Sequence, residues 1–352
     1  MVRASSLLDR ISLNGYDSTS RLSRSGKIPE VPMARKKRNK PQFDVEKSLQ
    51  NRRFEKMIFH HGSLAAVIKS IGFYSLSTLI WPRFIAPKRW QLTRFNVVMP
   101  NLPRVFDGYK IAQLSDLHTG STDQHYLRRV LETVVAEKPD VIVITGDLIE
   151  YRAGSLQKLE ALLPLLHATD GVLAIFGNHD YHEYSWRHVG PRSAHRAIHK
   201  RLRTLLAKHQ ITLLRNTQHR VIRENSALYF VGMDELWTGN ADGPAAFAGL
   251  PESAPCICLQ HNPDGFEILR QFPWQLMLCG HTHGGQVRLP LIGSLFVPMK
   301  HRQYIRGWYT LHSDANPKEK RMYVSTGLGQ SVPIRLRVPP EATIFTLHSN
   351  IQ

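Results

Sequence analysis

Val141-Ile142-Val143-Ile144-Thr145-Gly146-Asp147 runs five β-branched residues straight into a glycine and a carboxylate. Such a run reads as a short strand, and the glycine lets the backbone turn sharply at its end. Asp147 is thereby presented where two metal ions could share it, although a Gly-Asp pair standing alone would mean only a turn.

The same grammar recurs on either side. The strand-like Tyr109 to Leu114 precedes Asp116-Leu117-His118, and Val172 to Phe176 precedes Gly177-Asn178-His179-Asp180. Cys256 to Leu259 precedes Gln260-His261-Asn262, and Leu276 to Leu278 precedes Gly280-His281-Thr282-His283-Gly284-Gly285-Gln286. Further strands are expected at Ala227 to Val231, Met322 to Ser325 and Ala342 to Leu347, with helices near Gln124 to Glu137, Leu156 to His167 and Ala194 to Lys208. Strands alternating with helices, and polar blocks at strand ends, predict an α/β sheet protein whose loops gather sequence-distant donors into one site. Carboxylates, one carboxamide and several imidazoles suit one or two divalent first-row cations, and the lack of a thiolate argues against a soft structural zinc site. Two imidazoles at i and i+2 among glycines are the sharpest single block. Asp116-Leu117-His118 alone reads more readily as a surface turn, and Asn178-His179-Asp180 alone is also compatible with an Asx turn carrying a surface His. Other histidines, including His182, His188 and His195, belong to no motif and default to ordinary surface or core roles.

The chain has 352 residues, enough for one catalytic domain of α/β type plus an extension. A 42% hydrophobic fraction excludes a mostly disordered protein. Forty-six Lys and Arg against 28 Asp and Glu leave a net charge of +18, which favours an anionic partner: nucleic acid, an acidic membrane or a phosphorylated substrate. The three cysteines, Cys256, Cys258 and Cys279, lie in apolar stretches without CxxC spacing, so they read as small buried hydrophobes in a reducing compartment.

Residues 1–62 are rich in Ser, Arg and Lys, include the run Ala34 to Lys40, and read as a disordered basic extension, with Met33 a possible alternative start. Residues 63–89 form an apolar, positively flanked segment interrupted by Lys69. Its length suits an interfacial helix on an anionic leaflet better than a full span, a buried or substrate-lip helix being the other reading. The implied location is a peripheral or monotopic membrane protein on the cytoplasmic face. Arg52-Arg53-Phe54 offers export by a twin-arginine-like signal as an alternative. Residues 90–352 form the expected catalytic domain.

The five ordered blocks resemble the calcineurin-like metallophosphoesterase superfamily over about Tyr109 to His283. The resemblance continues through Tyr323-Val324-Ser325-Thr326-Gly327-Leu328-Gly329 and Val338-Pro339-Pro340-Glu341. The GHTHGGQ form and the GLG…PPE tail are similar to the branch of YkuE- and YaeI-type phosphodiesterases, which includes the lipid A enzyme that hydrolyses UDP-2,3-diacylglucosamine. The resemblance implies a four-layer α-β-β-α sandwich and two divalent metal ions, Mn foremost, with Fe, Zn, Co or Ni as other candidates. It implies that Asp116, His118 and His283 hold one ion, that Asn178, His261 and His281 hold the other, and that Asp147 bridges them. His179 would contact the phosphate or the leaving oxygen, with Asp180 orienting it. The implied activity is hydrolysis of a P–O bond by metal-activated hydroxide. An anionic, lipid-linked phosphoester held at an anionic membrane surface, such as UDP-2,3-diacylglucosamine, suits the basic chain and its apolar segment. No specific nucleic acid is expected, because no aromatic-interleaved basic track is visible. A general phosphodiesterase or phospholipid phosphoesterase, a nuclease, a phosphoprotein phosphatase and a non-catalytic membrane scaffold or sensor are the competing readings.

Overall fold

The computed structural model describes residues 80–150, 153–181, 192–294, 297, 299–313, 316–330 and 334–350. The basic extension, Met33, the Arg52-Arg53-Phe54 motif, residues 63–79 of the apolar segment, and His182 and His188 lie outside these residues. In chain order the described strands are β1 (Gln91–Met99), β2 (Tyr109–Leu114), β3 (Val141–Thr145), β4 (Val172–Ile175), β5 (Ile211–Leu213), β6 (Thr217–Arg223), β7 (Ser226–Gly232), β8 (Cys256–Leu259), β9 (Leu276–Cys279), β10 (Arg288–Leu289), β11 (Gly293–Ser294), β12 (Gly307–Ser313), β13 (Asn316–Val324) and β14 (Glu341–Ser349). The helices are α1 (Gln124–Ala136), α2 (Ala153–Glu160), α3 (Asn178–Tyr181), α4 (Arg192–Lys208), α5 (Gly243–Ala246) and α6 (Phe266–Leu269).

Twelve of these strands form two six-stranded sheets, β1-β14-β2-β3-β4-β5 and β12-β13-β9-β8-β7-β6. In the first, β2 to β5 run parallel and β14 is antiparallel to β2; in the second, β7, β8, β9 and β13 run parallel between antiparallel edges. Strand β3 shows why these segments are apolar throughout. Val141 and Val143 pack into the core between the sheets with Phe230, Ile257 and Leu278. Ile142 and Ile144 point the other way, onto Leu127 and Val130 of α1, Leu159 of α2 and Leu202 of α4. A strand covered on both faces has no polar side to show, so its sequence loses the alternation of a half-exposed strand.

The outer face of the second sheet, with Cys258, Met277 and Met322, is covered by Phe247, Leu269 and Trp274 around α5 and α6. All three cysteines are buried and free. The layers are therefore helix, sheet, sheet, helix, as expected, with the second helical layer built from single turns.

Helix α1 anchors the first layer. Asp123 caps it, accepting from the Tyr126 amide at 2.8 Å, and Tyr126, Leu127, Val130, Leu131 and Val134 form its buried stripe. Each such aliphatic side chain contributes roughly 1.5–3 kcal/mol on leaving water. The helix expected from Leu156 to His167 instead ends at Glu160. Pro164 forbids its continuation, and a 3₁₀ turn at Leu163–Leu165 follows.

Candidate metal centre

Strands β2, β3 and β4 of one sheet and β8 and β9 of the other each end one to three residues before a donor block. The loops leaving them interlock. The Asp116 amide donates to the Gly146 carbonyl at 3.0 Å, the His118 amide to the Asp147 carbonyl at 3.1 Å, and the Gly280 amide to the His261 carbonyl at 3.0 Å. Gln113, wholly buried, crosses between the sheets and donates to the Thr145 hydroxyl at 3.0 Å and the Cys279 carbonyl at 2.9 Å. The backbone is bent hard to bring the donors inward. Asp116, His118, Asp147, His281 and His283 all have positive φ, between 44° and 71°. Each such residue costs on the order of 1–3 kcal/mol, so the surrounding packing must over-determine the geometry. Gly146, at φ 92°, leaves the space that the His261 ring fills.

Asp116, His118, Asp147 and His283 offer donor atoms that all lie within 4.8 Å of one another. His118 Nε2 is 3.1 Å from His283 Nε2 and 3.5 Å from Asp147 Oδ2, while His283 Nε2 is 3.6 Å from Asp116 Oδ1. On the other side of Asp147, His261 Nε2 lies 3.3 Å from the same Oδ2. His281 Nδ1 meets Asn178 Oδ1 at 2.9 Å, and the His261 and His281 rings stand 5.1 Å apart. Asp116, His118, Asp147 and His283 thus form one buried cluster, with His261 beside Asp147 and the His281–Asn178 pair next to His261.

The spacing fits divalent cations. Metal–donor bonds of about 2.0–2.2 Å place donors of a common ion roughly 3–3.6 Å apart, the range of the contacts His118–His283, His118–Asp147, His261–Asp147 and His283–Asp116. Imidazole tautomers agree with it. His261 Nδ1 donates to the Thr145 carbonyl at 2.7 Å, so Nε2 is turned toward Asp147 as an acceptor available for an ion. Charge is stored in the pocket accordingly. Burial favours a neutral His118, but Glu150, Asp147 and Asp116 outweigh it and raise its pKa to about 9. Burial likewise opposes charge on His261, and Asp147 and Asp116 overcome it, raising the value to about 10. Burial raises the pKa of Asp147, yet His261 and His179 hold it well below the usual carboxylate range.

A family profile described as calcineurin-like phosphoesterase matches residues 109–285. The chain belongs to that family. This phosphoesterase is 33% identical over 310 residues to YkuE, an uncharacterized metallophosphoesterase of Bacillus subtilis (strain 168), covering 86% of this chain and 99% of that one. It is 33% identical over 242 residues to phosphodiesterase YaeI of Escherichia coli (strain K12), covering 68% and 82%. It is 29% identical over 322 residues to the UDP-2,3-diacylglucosamine pyrophosphatase LpxG of Chlamydia trachomatis, covering 80% and 96%. The chain is a metallophosphoesterase, a hydrolase with a buried cluster of potential metal ligands. Among the described residues no helix is long and apolar enough to cross a membrane.

Two features of this phosphoesterase were not read from sequence. Glu150 presents Oε1 to His118 Nδ1 at 3.3 Å, orienting that ring from behind. Its signal was its position three residues past Asp147. Arg335, fully buried, donates to the carbonyls of Thr326 at 2.9 Å, Gly327 at 3.1 Å and Gly329 at 2.5 Å, and so braces the Gly327-Leu328-Gly329 turn behind Asp116. Gly327 packs against the Asp116 side chain, in keeping with a turn beside the site.

The Asp180 carboxylate accepts from the Ile149 amide at 3.1 Å and the Gly177 amide at 2.9 Å. Neighbours on a helical turn point about 100° apart, and the side chain of Asp180 ties together the loops after β3 and β4. Burial, helped by Asp147, pushes its pKa up to about 7. His179 itself is partly exposed, its ring edge-on to His118 at 4.8 Å and its amide donating to Asp147 Oδ1 at 2.9 Å.

Proposed function

We propose that this metallophosphoesterase hydrolyses a diester or pyrophosphate bond of a membrane lipid, with UDP-2,3-diacylglucosamine as the candidate substrate and a lipid monophosphate and UMP as products. The observation that carries the hydrolytic reading is the Asp147 carboxylate standing between His118 and His261, at 3.5 and 3.3 Å, with a further donor pair on each side. Asp116, His118 and His283 would hold one ion and Asn178, His261 and His281 the other, with Asp147 shared. When bound, such a pair supplies positive charge toward phosphoryl oxygens and acidifies water. Mn²⁺ is the candidate metal, an assignment that the mixed N and O donor set supports but shares with Fe, Zn, Co and Ni.

The chain's own groups complete the chemistry. His179, beside the donors and reachable from outside, would donate a proton or hydrogen bond to the leaving oxygen. Its burial lowers its pKa, which makes a ring-borne proton easier to give up. Asp180 and Glu150 would act as positioning residues, holding the loops and the His118 ring.

The lipidic substrate is supported by the relative LpxG, a UDP-2,3-diacylglucosamine pyrophosphatase, and by the net charge of +18. The name of the relative YaeI supports a second reading, a phosphodiesterase of broader scope. Mn-loaded full-length protein incubated with UDP-diacylglucosamine, phospholipids, bis-aryl phosphodiesters and RNA, with products identified by mass spectrometry, separates these. UMP release from the sugar lipid alone is the expected result; turnover restricted to soluble diesters would favour the second reading.

A further inference from the structure

We propose that the hairpin β10–β11, together with Arg288, Arg306 and Arg337 around it, is the surface by which this enzyme docks on an anionic lipid bilayer. The three-residue tip is Pro290-Leu291-Ile292, and its aliphatic side chains stand almost wholly in water, Leu291 at 108% and Ile292 at 70% exposure. Leu291 has φ 64°, a conformation for which a hairpin turn ordinarily uses glycine or asparagine. A leucine there gains nothing for the turn and projects an apolar side chain outward. Behind the tip, Arg288, Arg306 and Arg337 line one hollow of about 510 Å³ with Leu291 and Ile292. Among the described residues none of these three guanidinium groups is ion-paired. Aliphatic side chains ringed by unpaired arginines match a bilayer with acyl chains below phosphate headgroups.

The patch continues sideways. Val287 is bridged to Leu336, the Arg288 amide donates to the Leu336 carbonyl at 3.0 Å, and the Arg335 amide donates to the Pro82 carbonyl at 2.8 Å. The chain at 334–337 therefore lies between the hairpin and the turn Trp81–Ile85. Trp81 and Phe84 are exposed there, with Arg89 and Arg83 over their rings at 5.4 and 4.8 Å. Residues 80–90, 286–294 and 334–338 contain no Asp or Glu. A nucleic-acid partner fits the hairpin less well, because its tip carries no ring on which a base could stack.

The hairpin abuts the metal centre. The Ser294 hydroxyl donates to the Gly284 carbonyl at 3.4 Å, and Arg306 packs beside Gly284, next to His283. A headgroup held by the arginines is thus presented at the edge of the donor pocket. This inference rests on the reading that the substrate is membrane-borne, and its test keeps the two separate.

Ile292→Cys in the full-length, metal-loaded protein can be labelled selectively with an environment-sensitive fluorophore, since the native cysteines are buried. Vesicles of phosphatidylcholine with phosphatidylglycerol should shift the emission to the blue and at least double it; phosphatidylcholine alone should do much less. Arg288→Gln, Arg306→Gln and Arg337→Gln should each weaken anionic-vesicle binding about fivefold. Leu291→Ser/Ile292→Ser should weaken it further while leaving turnover of a soluble bis-aryl phosphodiester unchanged. A label that stays in water while the protein co-floats with the vesicles would overturn the proposal, as would failure to bind vesicles or a response to RNA alone. Turnover of the soluble diester, read in the same samples, shows whether catalysis survives independently of docking.

Discussion

The two sheets deliver different chemistry to one edge. The first contributes two carboxylates, a carboxamide and one imidazole (Asp116, Asp147, Asn178 and His118), backed by Glu150; the second contributes imidazoles alone, His261, His281 and His283. The acid half is held by groups on both sides: Asp116 accepts from the Ser115 hydroxyl at 2.6 Å and from the His281 amide of the other sheet at 3.2 Å, and Asp147 accepts from the His179 amide at 2.9 Å. The imidazole half depends on the opposite sheet, since the Thr145 carbonyl at the end of β3 sets the His261 ring. Fixed negative charge thus comes from one sheet, and donors that must lose a proton before binding come mainly from the other. A cation needs both, which is why neither sheet alone makes a site.

Removing the shared carboxylate should break the comparison outright. Asp147→Ala is expected to lose bound metal by elemental analysis and to lose all measurable turnover; unchanged stoichiometry would remove the bridging role. His179→Ala lies outside the donor set and should keep its metal while losing about 10²–10⁴-fold in turnover. Near-normal turnover would take His179 out of the chemistry.

The strands and donor blocks were legible because burial on both faces makes β3, β4, β8 and β9 continuous apolar runs, with β2 apolar but for Lys110 and Gln113, and because each donor block follows its strand closely. Strand β1 was not. Its alternation includes Arg94, Asn96 and other exposed residues, and it is paired with β14, about 250 residues away. Edge strands β6 and β12 likewise carry exposed polar residues, although each pairs with its chain neighbour, β7 and β13. Glu150 and Arg335 were unreadable because their roles exist only once distant loops meet.

Acidity should expose the imidazole half. Neutral rings bind metal, and in the metal-free pocket His118 and His261 hold protons up to about pH 9 and 10. The sign follows: cations must displace these protons, so apparent affinity rises with pH below those values, by up to about tenfold per pH unit for each proton released. Calorimetric titration in buffers of different ionisation enthalpy should detect the released protons, and a pH-independent affinity would contradict the stored charge. Glu150→Gln probes the acid half more gently. Loss of its charge behind His118 should weaken metal affinity 10–100-fold with the fold intact, measured by competition with a chelating dye.

The central claim is that donors from both sheets hold two ions across one carboxylate. Anomalous diffraction from crystals grown with Mn²⁺ tests it directly. The account predicts two peaks per chain, one touching Asp116, His118 and His283, the other touching Asn178, His261 and His281, with Asp147 between them. A single peak away from Asp147, or none within this donor set, would contradict it.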